Sequence, residues 1–283
     1  MRLLAADSSQ SAMRCTRAPG NCRAATDLTR HPGAAGLHIG HRQHCGCIRL
    51  GRLPMAGVRK NQARLSSGEW DSLISAMDAI RATGAAPPRY RDFVQVHVDA
   101  MTGPQMHQWA VHTMGPMRGR NFLAWHRQFL LRFEERLQQE DPDITIPYWN
   151  WATDPNIPSR LNRRSLLQRW GVTRRWDRSW MPDRADVRAA LRREKFGPFQ
   201  SRLEFVHGDV HNAVGGEMAT ERSPADPLFW LHHSNVDRLW AQWQGKHPGT
   251  RPRNSDERLQ PPPLFGVRVR EVLRISSLGY SYR

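Results

Sequence analysis

Between residues 66 and 82 the apolar side chains recur three and four positions apart, at Leu73, Ile74, Met77 and Ile80. That spacing gathers them on one face of an α-helix. Ser66-Ser67-Gly68-Glu69 in front of them reads as a capping box, and Gly84–Pro88 behind them as a break. A second helix is predicted over Arg89–Ala100 and carries His97; the stretch from Thr102 to Arg120, rich in Gly, Met and Pro, is predicted to be a loop bearing His107 and His112. The strongest period runs from Phe122 to near Glu140, with Trp125, Phe129, Phe133 and Leu137 four apart and His126 beside them. Asp141-Pro142 ends it, and Ile146–Trp151 reads as extended, because a residue before proline is pushed out of the helical region. Residues 152–182 read as irregular, with one helical piece near Ser165–Trp170. Asp183 is expected to cap a short helix to about Lys195, and Leu203–Asn212 to form another that closes on Gly215-Gly216. The last helix is expected to take Asp226 as N-cap and Pro227 as its first residue, and to run to Gln244. The predicted class is mainly α, a helical-bundle core with little β structure.

Composition changes this picture in two places. The chain of 283 residues can bury a core without staples, and it has no run of 18 apolar residues to cross a membrane. The net charge of +16 comes from Lys and Arg spread along the chain, almost all of them Arg, without a block of five like charges or a nucleic-acid motif. Nucleic acid is therefore not an expected partner.

Residues 1–54 differ from everything after them. They hold all four cysteines (Cys15, Cys22, Cys45, Cys47), lack hydrophobic period, and contain no apolar stretch long enough for a secretory signal. They read as a disordered or non-native extension, with Met55 as the start of one domain over 55–283. His41-Arg-Gln-His44-Cys45-Gly-Cys47 offers the alternative of a soft-metal site, since thiolate and imidazole suit Cu(I). The compartment is left open.

The chemistry lies in the histidines of the body. His207 and His211 stand four apart, so one helix presents both imidazoles on one side. His233, on another predicted helix, can complete a set of three. His97, His112 and His126 offer a second set, from two helices and a loop. No Cys or acid recurs at ligand spacing beside them. All-imidazole sites suit Zn, Cu, Fe or Ni. Two adjacent three-histidine sites can share one dioxygen, and copper can change oxidation state where zinc cannot.

Several stretches resemble one family. Phe122-Leu123-Ala124-Trp125-His126-Arg127 resembles the first-copper helix of tyrosinases, and Pro147-Tyr148-Trp149-Asn150-Trp151 the motif after it. Asp226-Pro227-Leu228-Phe229-Trp230-Leu231-His232-His233-Ser234-Asn235-Val236-Asp237 resembles the second-copper signature. Val58-Arg59-Lys60-Asn61-Gln62 resembles the start of short bacterial tyrosinases, and Gly279-Tyr280-Ser281-Tyr282 the Tyr-x-Tyr that closes the catalytic domain. The resemblance implies a helical core holding a dicopper centre, with His97, His112 and His126 on the first copper and His207, His211 and His233 on the second. His107 stays a rival for His112, and His232 is implied to stand behind the ligands. Phenolic substrates and O2 are the implied partners, with a small copper-delivery helper, and no C-terminal domain is expected to shield the site.

One departure bears on activity. Many tyrosinases carry Asn after the first ligand of the second copper, and with a nearby Glu it orients the water that deprotonates a phenol. Here that position is Gly208, while Glu204 matches the Glu. The implied function is oxidation of phenols or ortho-diphenols to ortho-quinones. Its alternatives are a catechol or ortho-aminophenol oxidase without monophenol activity, and an oxygen carrier.

Overall fold

Ser66 opens the first helix as its sequence predicts: its Oγ accepts the Glu69 N–H at 3.2 Å, and the Glu69 carboxylate accepts the Ser66 N–H at 2.9 Å. In the computed structural model, which describes residues 57–113, 118–262 and 264–283, that helix is α1 (Ser67–Arg81). The expectations for residues 1–54 and for Met55 lie outside the described residues. Next come α2 (Tyr90–Thr102), α3 (Met106–Trp109) and α4 (Phe122–Gln138). They are followed by α5 (Arg164–Trp170), α6 (Arg184–Leu191), α7 (Phe196–Val214) and α8 (Leu228–Lys246). The class is mainly α, as the periodicity predicts. Among the described residues no helix is long and apolar enough to cross a membrane.

Several boundaries differ from the sequence reading, among them that of α8, whose N-cap is Pro227 in place of Asp226 and which runs from Leu228 to Lys246, past Gln244. The expected loop before Arg120 contains the single turn α3, which carries His107. Helix α6 stops at Leu191, short of Lys195. Helix α7 begins at Phe196, seven residues before Leu203. Gly197-Pro198 looks like a break, yet it falls in the first turn of α7, where a backbone N–H has no helical partner to lose. Burial decides the outcome: Phe199 stacks on Trp243 with centroids 4.4 Å apart, and Phe196 lies 6.1 Å from the same ring.

Helices α4 and α8 cross at the centre of the core. Phe133 lies flat on Trp230, centroids 3.5 Å apart, and the Trp230 indole N–H donates to the Tyr90 hydroxyl at 2.9 Å, tying in α2. A buried aromatic ring of this kind contributes about 1.5–3 kcal/mol. Asp226, one residue before the Pro227 N-cap, accepts the Leu228 N–H at 2.9 Å, while its carboxylate is gripped by Arg174 at 2.6 and 2.7 Å.

The only β-sheet among the described residues joins the two ends of the described chain. β1 (Gly57–Arg59) runs parallel to β2 (Tyr280–Tyr282). Beneath it Arg59, fully buried, donates to Glu134 at 3.0 and 3.2 Å and lies over the Tyr280 ring at 3.8 Å. Asp237 accepts Arg127 Nε at 2.5 Å and the hydroxyls of Tyr280 and Tyr282 at 2.7 and 2.6 Å. Charges this deep persist only when paired and hydrogen-bonded. The network therefore pins both strands onto α4 and α8.

Candidate metal centre

Two groups of histidines lie in this frame: His97, His112 and His126, and His207, His211, His232 and His233. In each group one ligand nitrogen per residue lies within 4.8 Å of every other. Helix α2 supplies His97, α4 His126, α7 His207 and His211, and α8 His232 and His233. The groups abut. His126 stacks on His233 with centroids 4.2 Å apart, and His112 faces His207 at 6.0 Å. Phe122 and Phe229 wall the space, at 4.9 Å from His207 and 4.1 Å from His233.

Backbone carbonyls fix four of the rings. Nδ1 of His97 donates to Glu221 O at 2.7 Å, that of His126 to Phe122 O at 2.8 Å, that of His207 to Glu204 O at 3.2 Å, and that of His211 to Met218 O at 2.5 Å. A carbonyl can only accept, so Nδ1 carries the proton and Nε2 keeps its lone pair. Nε2 of His97, His112, His126 and His211 is buried without a partner, and the Nε2 atoms of His207 and His233 face each other at 3.2 Å. An orphaned buried nitrogen costs about 1–3 kcal/mol unless something ligates it.

Burial also holds these rings neutral. It pushes His97 down to about 3 and His211 to about 4, and the other five well below the ordinary histidine value. Neutral imidazoles with inward lone pairs and a carbonyl behind them are the form that binds a transition metal. No thiolate or carboxylate belongs to either group. The donor set fits two copper ions.

The loop brings His112, and not His107, into the first group. Ala110 adopts the left-handed region at φ 46°, an uncommon conformation for a side-chain-bearing residue, and turns the chain inward after α3. His112 is thereby buried at 8% exposure, while His107 stays on the surface. A Cβ on Gly119 would lie 2.7 Å from the His112 carbonyl carbon, so the loop closes only because residue 119 has none. Thr113 then donates its N–H and hydroxyl to Glu204 at 2.6 and 2.8 Å.

Glu204 sits one helical turn before His207, with a carboxylate oxygen 4.0 Å from His112 Nδ1. Burial raises its pKa above the ordinary glutamate value, opposed by the two Thr113 hydrogen bonds. No atom lies within 4 Å of where a Cβ on Gly208 would stand. His232, fully buried, stacks against His207 at 5.0 Å and has no partner for either ring nitrogen.

Sequence reasoning missed the carbonyls of Met218 and Glu221, the Thr113 clamp, and the pairing of Arg127 with Asp237. Only the last left a trace, since both residues fall inside the quoted signatures, one position after His126 and four after His233.

Comparison with known proteins agrees with this geometry. A family model described as the common central domain of tyrosinase matches residues 87–169 and 171–246, more than half the chain. A tyrosinase of Streptomyces glaucescens is 34% identical over 239 residues, covering 68% of this chain and 84% of that protein. Grixazone synthase of Streptomyces griseus is 26% identical, covering 69% and 86%. A functional unit of octopus hemocyanin shares the fold with a TM-score of 0.66 at 24% identity, covering 80% of this chain and 68% of that one.

Proposed function

Since the chain belongs to the tyrosinase family, a family of type-3 dicopper proteins, we propose that it oxidises ortho-diphenols or ortho-aminophenols with molecular oxygen in a domain spanning 55–283. His97, His112 and His126 hold one copper, and His207, His211 and His233 the other. The observation that carries this reading is the set of buried, neutral imidazoles, four of them pinned through Nδ1 to carbonyls, whose Nε2 atoms converge. Bound copper supplies the electrons that reduce dioxygen and lowers the pKa of a coordinated hydroxyl.

The chain's own residues do the rest. The carbonyls of Phe122, Glu204, Met218 and Glu221 hold four of the rings, His126, His207, His211 and His97, in one tautomer. Phe122 and Phe229 exclude water from the space between the groups. Glu204 is the proposed acceptor of the substrate's proton: its carboxylate has lone pairs beyond the two that Thr113 engages. Gly208 offers no amide to orient a water beside it, which supports substrates that ionise readily over monophenols. The depth of both groups supports copper loading by a small helper protein over capture of free ion.

The test is copper analysis and oxygen consumption with catechol, ortho-aminophenol and tyrosine. His126→Ala and His211→Ala should each lose copper and all oxygen-dependent colour formation. Full copper and full turnover in either variant would sink the assignment. The likeness to hemocyanin supports a second reading, a reversible oxygen carrier, which predicts oxygen binding without turnover of any of the three substrates.

A further inference from the structure

Behind the histidine groups α1, α2, α5 and the segment 216–225 enclose a second cleft, of about 810 Å³. Its lining is cationic and only partly neutralised. Arg169 is taken by Asp78 at 2.8 Å and Arg91 by Asp92 at 3.8 Å, while Arg222 reaches Glu217 only at 4.0 Å. The guanidinium groups of Arg81 and Arg89 have no carboxylate within 4.0 Å among the described residues, though the Asp92 carboxylate accepts the Arg89 backbone N–H at 2.7 Å. Arg89 Nε donates to Ala85 O at 2.6 Å.

Arg81 is the unusual member. Its guanidinium lies 3.4 Å over the Tyr90 ring and 4.5 Å from the Trp170 ring, and Nη2 donates to Ala225 O at 2.8 Å. Its Nε is buried with no partner. Two aromatic faces hold the planar cation in place, Nε is sealed from solvent, and Nη1, with no partner among the described residues, is the donor left for an acceptor that the described protein does not supply. A guanidinium fork matches the paired oxygens of a carboxylate or phosphate.

We propose that this cleft is a binding site for a small oxyanion, seated on Arg81 with Arg89 and Arg222 beside it. The site backs onto the proposed copper centre. Residues Glu217, Arg222 and Ala225 line the cleft, and the same segment gives Met218 O to His211 and Glu221 O to His97. One short segment thus holds a histidine of each group on one side and meets the anion on the other. Anion binding and copper binding are coupled through it, and that coupling rests on the two-copper reading, whereas the binding itself does not.

The test begins with the full chain, copper-free, titrated by calorimetry with inorganic phosphate and separately with benzoate, against chloride at constant ionic strength. Saturable binding of either is expected, and the arm that saturates identifies the oxyanion. Arg81→Gln should weaken it about tenfold or more, the loss of a charge-assisted hydrogen bond. Arg222→Gln, on an exposed side chain that leaves the core untouched, should weaken it less but measurably, and it decides the matter if Arg81→Gln does not fold. A response that follows ionic strength alone, or is equal in wild type and variants, would show only screening of the net +16 charge and overturn the site. With two coppers bound, the anion Kd should change at least twofold, and by reciprocity so should copper affinity. An unchanged Kd overturns the coupling; a chain that takes up no copper refutes the copper reading while the copper-free titration stands.

Discussion

Replacing Asp237 by Asn keeps the shape of a fully enclosed side chain and removes its charge. The carboxylate is 3% exposed and accepts from Arg127, Tyr280 and Tyr282 at 2.5, 2.7 and 2.6 Å, with Arg59 at 3.5 Å. Arg59 keeps Glu134 after the substitution. Arg127 keeps only neutral partners: the carbonyls of Val272 and Leu273, the Gln244 side chain, and the face of Trp240. Breaking one side of a buried ion pair costs about 3–5 kcal/mol. In a domain of this size each kcal/mol lowers Tm by roughly 2–4 °C, so Asp237→Asn should melt about 6–20 °C below wild type. The measurement is thermal or urea unfolding of copper-free protein at neutral pH, which keeps metal binding out of the comparison. Adding Arg127→Met to Asp237→Asn should cost less than the sum of the two alone, because no buried cation is then stranded. A fall below about 4 °C for Asp237→Asn would refute the reasoning.

The pH dependence has a definite sign. Burial by itself would raise the Asp237 pKa, but Arg127, Arg59 and the two tyrosine hydroxyls outweigh it and hold the group below its ordinary value of 3.8. A depressed folded pKa means stability that is complete above the unfolded value and lost as pH falls through the folded one. The gap between wild type and Asp237→Asn should therefore stay constant through the neutral range and narrow only below pH 3.8.

Other outcomes test the centre itself. His107→Ala should leave copper content unchanged, whereas His112→Ala should lower it, as metal analysis reads directly. His233→Ala should lose copper at the second position and His232→Ala should retain it; the reverse would exchange their roles. Gly208→Asn, which meets no atom within 4 Å at its Cβ, should raise the ratio of tyrosine to catechol oxidation, and an unchanged ratio would remove Gly208 from the account of specificity.

What could be read from the sequence divides along physical lines. Helices α1, α4 and α8 announce themselves because their apolar period and buried faces agree, with a capping box in α1 as well. The start of α7 hides behind Gly197-Pro198, since local propensity there points against a helix that Phe199 on Trp243 secures. The β1–β2 pair carries no local signal. Each strand has three residues, and what joins them is a buried charge network assembled from four distant parts of the chain. The six proposed ligands were legible by spacing and resemblance. Between His112 and His107 the sequence offers a preference without a reason, because loop residues have no period; the burial of His112 beside His97 and His126 follows from Ala110 in the left-handed region and the missing Cβ of Gly119.

Glu204 shows why a residue's role is harder to read than its position. By resemblance it is a base. In the structure both oxygens already accept from Thr113, the neighbour of His112, while its own carbonyl accepts from His207. One residue therefore touches the supports of a histidine in each group, and its carboxylate is a clamp before it is a proton acceptor. The two roles separate experimentally. Glu204→Gln keeps an oxygen acceptor but loses basicity, so it should hold copper and slow turnover; Thr113→Val removes the hydroxyl donor and should loosen His112, lowering copper affinity while the carboxylate remains. If Glu204→Gln loses copper as readily as His112→Ala, the clamp is its main work and the substrate's proton leaves by another route.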